Sequence, residues 1–296
     1  MVSNMPQSID IETTKILIDG FINNLIDSRI KQAEAIHPNY TQLWKEISRV
    51  YNAGGKRLRP YISLLTYQVY GGKNTKAFIP TAAALELLHL SLLIHDDIID
   101  RDTTRHGTKN IIGHYLIEYK NYISKNTDQK HFAQSSALLA GDLLIAEAHK
   151  LISSHQPKSL QTFHDIIFTV IGGQLLDTEA SFMPAGTIDP DDVMSLKTAS
   201  YSFVGPMLIG AEAADATKSE KDKLTKLGKV VGIGFQLQDD LLGVFGHSAK
   251  SGKSTENDLK EGKQTSLVMS FYGLASKEQI TQFNQIFNNS QASGKQ

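Results

Sequence analysis

Cysteine is missing from this chain altogether. That removes disulfides, thiolate metal sites and any cysteine nucleophile, and it fits a reducing cytoplasm. An excess of positive charge is missing too. Thirty Lys and Arg face 31 Asp and Glu, so the chain carries no basic field to draw nucleic acid or anionic lipid. Residues 1–19 are polar and lack the apolar core of a signal segment. The longest apolar run, Ala82 to Ile94, is interrupted by Glu86 and His89 and falls short of a membrane span. No stretch alternates like a strand, no segment repeats, and nothing resembles an interdomain linker. The expectation is a soluble cytoplasmic protein with no integral membrane segment. Its 296 residues are read as a single all-α domain, with loose tails at 1–10 and 288–296.

Helical periodicity fills most of what remains. The pattern predicts helices over 11–35, from about Thr41, over Tyr61 to Val69, and from Pro80 through the residues after Ile94. Residues 103–133 read as loop plus a short helix. Further helices are predicted over Ser135 to Leu151, Gln161 to Ala180, Met194 to Ala214 with a break near Gly205-Pro206, and Ser219 to Val244. Asp191 is the expected cap after the 185–190 loop. Residues 247–264 form a polar loop, and Thr265 to Leu274 and Lys277 to Phe287 close the chain.

The chemistry concentrates in two acidic clusters. The first, His95-Asp96-Asp97-Ile98-Ile99-Asp100-Arg101-Asp102, ends the long apolar run. On a helix Asp96 and Asp100 differ by about 40° in azimuth and Asp97 lies about 100° away, so the three flank one edge. Like charges that close repel unless a cation or solvent screens them. The second cluster, Phe235-Gln236-Leu237-Gln238-Asp239-Asp240, has the same layout of apolar run then paired acids. Facing each other, the two would offer a cage of oxygen ligands to hard divalent ions, and Mg²⁺ prefers a few carboxylates plus substrate phosphates. Either cluster alone is equally a helix end with solvated charge.

Cations supply the complement. Gly54-Gly55-Lys56-Arg57-Leu58-Arg59-Pro60 sets three cations behind two glycines, a composition suited to phosphate oxygens and, in isolation, also to a plain surface turn. His89 lies two turns before Asp96 on the same helix face. Arg105 follows the first cluster within reach of a ligand bound there. Lys197-Thr198 sits on a helix, Gln236 lies one turn before the second pair of acids, and the loop 251–263, with Lys253 and Lys263, could close over an anion. Acids for metal, separate basic sets for phosphates and long apolar helices suggest an apolar substrate with a diphosphate head.

In that combination the chain resembles the trans-isoprenyl diphosphate synthases of the polyprenyl synthetase family. The carrying residues are the turn at 54–60, Asp96-Asp97-x-x-Asp100 with Arg105, Gly141-Asp142, Gln174 with Asp177, Lys197-Thr198, Phe235 to Asp240, and Gly262-Lys263. The resemblance implies an isoprenoid-synthase helical bundle with a central cavity, working as a homodimer on isopentenyl diphosphate and an allylic diphosphate. It implies Mg²⁺, about three ions per active site, held by Asp96, Asp100 and Asp239 with Asp97 and Asp240 supporting. Lys56, Arg59 and His89 would hold isopentenyl diphosphate. Arg105, Lys197, Lys253 and Lys263 would hold the allylic diphosphate, and Thr198 and Gln236 would present oxygens to the departing carbon.

Two departures stand out. Relatives carry paired arginines where this chain has Arg105-His106, which makes one cation of the isopentenyl diphosphate site weaker or pH-dependent. Gly243 also replaces a third Asp of the second motif. Ser91, Leu92, Leu88 and Leu85 occupy the positions that set product length, and none is the aromatic that stops growth at farnesyl. Geranylgeranyl diphosphate is the expected product, with longer chains and farnesyl as alternatives. A non-catalytic subunit of a heteromeric synthase is a rival reading, against which the intact acids and cations speak. Terpene cyclases and head-to-head synthases do not need the set of Lys56, Arg59 and His89. A helical scaffold would leave the convergence of acids and cations unexplained.

Overall fold

The computed structural model describes residues 9–105, 107–118, 128–245 and 262–287. His106, Lys253, residues 1–8 of the tail expected at 1–10 and the tail expected at 288–296 lie outside the described residues. Ile9 and Asp10 are described, with the Ile9 N–H on the Gln68 side chain and Asp10 capping the first helix. The chain falls into two compact units, Met1–Phe163 with Pro206–Lys221, and His164–Gly205 with Asp222–Gln296.

The first unit is built on α1 (Ile11–Glu34), α2 (Pro38–Asn52), α3 (Leu58–Val69), α4 (Thr75–Ile99), α5 (Ile111–Glu118) and α6 (Gln129–His155). Asp10 caps α1 by accepting the Thr13 N–H. Its buried stripe Ile18, Ile22, Ile26 and Ala33 then packs on α2, α3 and α4. α4 is apolar all round because it is buried all round. Leu85, Leu87, Leu88 and Ile94 are at most 2% exposed, each contributing about 1.5–3 kcal/mol by leaving water. It is long and apolar enough to cross a membrane, yet 78% of that window is buried, as in a core helix. Its most extensive partner is α6, whose small buried residues Ala133, Ala137, Ala140, Gly141 and Ala148 let the two axes approach closely.

Several boundaries differ from the sequence-based expectation. α2 begins at Pro38 rather than Thr41, because His37 caps it by accepting the Asn39 N–H and proline is pre-shaped for the first helical turn. Pro80 does not start α4. Asn74 accepts the Ala77 N–H as the cap, and Pro80 lies inside the second turn, where the helix gives up one backbone bond. The 103–133 stretch holds a strand pair that the pattern did not show. Thr104–Arg105 (β1) pairs antiparallel with Thr108–Lys109 (β2), a hairpin too short for alternation to register. α6 starts six residues earlier than predicted, behind the Asp128 cap. The all-α class stands.

The second unit holds most of α7 (Leu160–Ala180), α8 (Pro190–Val193), a π-helical segment (Met194–Val204), most of α10 (Lys218–Phe245), α11 (Ser266–Leu274) and α12 (Lys277–Phe283), while α9 (Gly205–Ala213), into which the π segment runs, belongs to the first unit from Pro206 on. The cap of α8 is Asp189, which accepts the Asp191 N–H, not Asp191 itself. The break expected near Gly205-Pro206 is a change of winding. The Gly205 N–H reaches back five residues to the Ser200 carbonyl, and Pro206, with no N–H, opens the α-helix that follows. This π segment is gripped from both sides. A Cβ on Gly173 of α7 would lie 2.3 Å from the Lys197 nitrogen, and one on Gly232 of α10 would lie 2.5 Å from Ala199.

Candidate active site

In the first unit, Asp96, Asp97 and Asp100 occupy the last turn of α4. The helix closes with the Asp102 N–H on the Asp97 carbonyl (2.9 Å) and the Arg101 N–H on the Ile98 carbonyl (3.3 Å). That six-residue closure normally recruits glycine, yet here Arg101 takes the left-handed conformation at φ 59°. A non-glycine residue in that region is strained, and such strain gathers at functional sites. The reversal sends the chain into the β1–β2 hairpin and returns Arg105 onto the acids. Its Nη2 and Nε lie 2.7 and 2.8 Å from the Asp97 Oδ1, and Nη2 lies 3.7 Å from Asp96. Asp97 is buried. Burial pushes its carboxyl up to about 6, with the Arg105 charge pulling the other way. Asp96 and Asp100 stay half-buried. The three acids therefore divide: Asp97 pairs with Arg105, while the outer two keep their edge to solvent.

The hairpin is itself pinned. Arg49 of α2 donates to the Lys109 and Asn110 carbonyls at 2.8 and 3.2 Å. Buried Asn110 donates to the Asp102 carbonyl and accepts the Gly113 N–H, both at 2.9 Å. On the other flank His95 packs over Gly141, where a Cβ would lie 2.1 Å from the His95 Nε2. Nε2 also lies 3.3 Å from the Leu138 carbonyl and 3.5 Å from Asp142. The Gly141-Asp142 pair thus seats the residue that precedes the acidic cluster.

The turn at 54–60 separates its cations. Lys56 is exposed, Arg59 is half-buried in the first turn of α3, and His89 is half-buried on α4. Arg57 is buried, bonded to Asp19 and Glu86. On α4, Ser91, Leu88 and Leu85 are at most 2% exposed and Leu92 is half-buried.

In the second unit, Lys197 pairs with Asp177 at 2.5 Å. The Thr198 hydroxyl donates to the Gln236 Oε1 at 2.6 Å, and the Gln236 Nε2 donates to the Asp240 Oδ1 at 2.7 Å. Asp240 is buried by this relay, whereas its neighbour Asp239 is exposed. The π segment carries Lys197 and Thr198, so its unusual winding sets the aim of both. Lys263 follows Gly262 at φ 71°, and Gln264 fixes that turn: its amide donates to the Ala180 and Met183 carbonyls and accepts the Gly186 N–H.

Among the described residues no three carboxylate or imidazole groups converge to hold a metal alone. The half-buried pair Asp96 and Asp100 fits a hard cation that keeps waters and takes phosphate oxygens as its other ligands. Asp19, Arg49, Glu86, Asn110 and Gln264 escaped the sequence reading. Only Glu86 left a signal, as a charge inside an apolar run.

The polyprenyl synthetase family model matches residues 41–296. The chain belongs to the polyprenyl synthetase family. It is by that membership a prenyltransferase. It is similar to a short chain isoprenyl diphosphate synthase of Methanocaldococcus jannaschii, 31% identical over 84% of this chain and 72% of that one. A geranylfarnesyl diphosphate synthase of Aeropyrum pernix is 34% identical over 86% of this chain and 78% of its own. Among solved structures, a geranylgeranyl pyrophosphate synthase of Corynebacterium glutamicum, complexed with isoprenyl diphosphate and magnesium, aligns with a TM-score of 0.89. It is 29% identical and covers 97% of this chain and 84% of its own. Family membership agrees with the all-helical fold that the periodicity predicted.

Proposed function

We propose that the chain condenses isopentenyl diphosphate head to tail with an allylic diphosphate. The observation that carries the reading is the division of the first acidic motif: Arg105 engages buried Asp97 while Asp96 and Asp100 keep an edge to solvent. We assign Mg²⁺ to Asp96, Asp100 and Asp239, about three ions in all, with Asp97 and Asp240 supporting. When bound, Mg²⁺ neutralises the charge that develops on the departing diphosphate.

The protein's own groups do the rest. Lys56, Arg59 and His89 hold isopentenyl diphosphate, and Arg105, Lys197, Lys253 and Lys263 hold the allylic diphosphate, with His106 nearby in sequence. Lys197 leaves Asp177 for the incoming phosphate oxygens, an exchange of one anion for a stronger one. The allylic C–O bond breaks as the alkene of isopentenyl diphosphate attacks the allylic carbon, and the released diphosphate takes the proton. The Thr198 hydroxyl and the Gln236 carbonyl, held together by the relay to Asp240, are assigned to present oxygens to the departing carbon, and their fixed hydrogen bonds support that reading.

Ser91, Leu92, Leu88 and Leu85 set the tunnel floor, and the product assigned is geranylgeranyl diphosphate. The enzyme acts in the cytoplasm as a homodimer. Support for the dimer comes from α7, where Phe168, Ile171 and Leu175 form an exposed apolar stripe at 83%, 53% and 64% exposure. Diphosphate release tests the reading: with Mg²⁺ it requires both substrates together. Release from the allylic substrate alone, at the same rate, points instead to a hydrolase or cyclase.

A further inference from the structure

Arg57 lies between Lys56 and Arg59 in sequence but faces the opposite way. Lys56 is exposed, whereas Arg57 is 5% exposed and spends its whole guanidinium inside the protein. Nε donates to the Asp19 Oδ1 of α1 at 2.6 Å. Nη1 donates to the Gly54 carbonyl at 2.8 Å and to the Glu86 Oε1 of α4 at 3.1 Å. Nη2 donates to the Tyr51 carbonyl at 3.0 Å, and the guanidinium carbon sits 4.0 Å from the Tyr51 ring centroid. Asp19 is held in turn by the Tyr51 hydroxyl at 2.6 Å and by Lys15 at 2.5 Å.

The backbone conforms to this anchor. Arg57 adopts φ 53°, the left-handed region, at the cap of α3. Gly55, at φ 124°, lies under the guanidinium, where a Cβ would come 2.1 Å from Nη1. The glycine therefore makes room for Arg57; that is a role distinct from the phosphate cradle its composition suggests. Glu86 is 3% exposed and its Oε2 has no hydrogen-bond partner, so its charge is answered by Arg57 and, at longer range, Arg59. His89 follows Glu86 by one turn of α4.

We propose that Arg57 is a positioning residue: by tying Asp19, Glu86, the Tyr51 carbonyl at the end of α2 and the Gly54 carbonyl together, it holds the turn so that Lys56 and Arg59 are presented as a pre-formed diphosphate site. This rests on the reading that Lys56 and Arg59 contact isopentenyl diphosphate. A planar fork suits the task because it satisfies four acceptors in fixed directions, which an ammonium cannot do. Displacements of about an ångström at such a site cost up to about a hundredfold in rate or affinity.

Steady-state kinetics on the full chain separate positioning from bulk stability. Arg57→Met raises the KM for isopentenyl diphosphate by about tenfold or more and leaves the KM for the allylic diphosphate within about twofold. Asp19→Asn, which weakens the far side of the anchor and leaves Arg57 and Glu86 in place, moves the same KM by about two- to threefold. Folded variants with both KM values unchanged, or raised equally, overturn the proposal. If Arg57→Met does not fold, Asp19→Asn decides. Lys56→Ala separates the two claims. If it raises the isopentenyl diphosphate KM and Arg57→Met does not, the substrate reading stands and positioning falls. If Lys56→Ala has no effect, the turn is not that site and both fall.

Discussion

Gly141→Ala should destabilise the protein, and the cause should be one imidazole. In mid-helix, alanine is favoured over glycine by about 0.5–1 kcal/mol. Here the new Cβ would sit 2.1 Å from the Nε2 of His95 and 2.5 Å from its Cδ2. His95 has 23% of its side chain exposed, so it can swing aside. In doing so it forfeits the Leu138 carbonyl, worth about 1 kcal/mol, while the pairing with largely exposed Asp142 contributes little. Residual crowding against the displaced His95 ring adds about 1–3 kcal/mol. The expected net loss is about 1–3.5 kcal/mol. In a His95→Ala background the obstacle is gone, and the same substitution should stabilise by about 0.5–1 kcal/mol. Urea unfolding of the four proteins, followed by circular dichroism, gives the cycle, with an expected coupling of about 1.5–4.5 kcal/mol. Effects that add within about 0.5 kcal/mol would refute the steric reasoning.

Three further outcomes are expected. Thr198→Val leaves the Gln236 Oε1 without its donor; kcat should fall by about tenfold or more at nearly constant KM, and equal changes in both would contradict the relay. For Asp19, burial pushes the carboxyl up but the Lys15, Tyr51 and Arg57 donors outweigh it and hold it below 3.8. Its stabilisation is thus complete above that value and is lost as pH falls through the lower folded value, so Asp19→Asn should flatten the acid limb of an unfolding-versus-pH curve below about pH 4. Leu88→Ala opens the floor under the acidic motif: it should cost about 2–5 kcal/mol in stability and lengthen the product, and an unchanged product size would remove Leu88 from chain-length control.

Periodicity carried the helices because burial on one side of a helix writes itself into every third or fourth residue. It failed where a side chain acts through a backbone group. His37, Asn74 and Asp189 moved helix starts by capping, and nothing in an apolar pattern marks a cap that competes with a nearby proline. The proposed site was legible as residue types, since acids and cations in those spacings suggest metal and phosphate. Partners distant in sequence were not. Arg57 meets Asp19 across 38 residues, and Gln264 meets Ala180 across 84, with no local pattern connecting them. The division of Asp97 from Asp96 and Asp100 depends on a hairpin of two-residue strands, below the length at which alternation can be seen.

The central claim is Mg²⁺-dependent, head-to-tail condensation, and one measurement addresses it most directly. Purified protein receives labelled isopentenyl diphosphate with dimethylallyl, geranyl or farnesyl diphosphate, with Mg²⁺ or with chelator, and the prenyl alcohols are sized after phosphatase treatment. The account predicts a ladder ending at geranylgeranyl, present only with Mg²⁺ and abolished in Asp96→Ala. No condensation with any primer, by folded protein supplied with Mg²⁺, would contradict it.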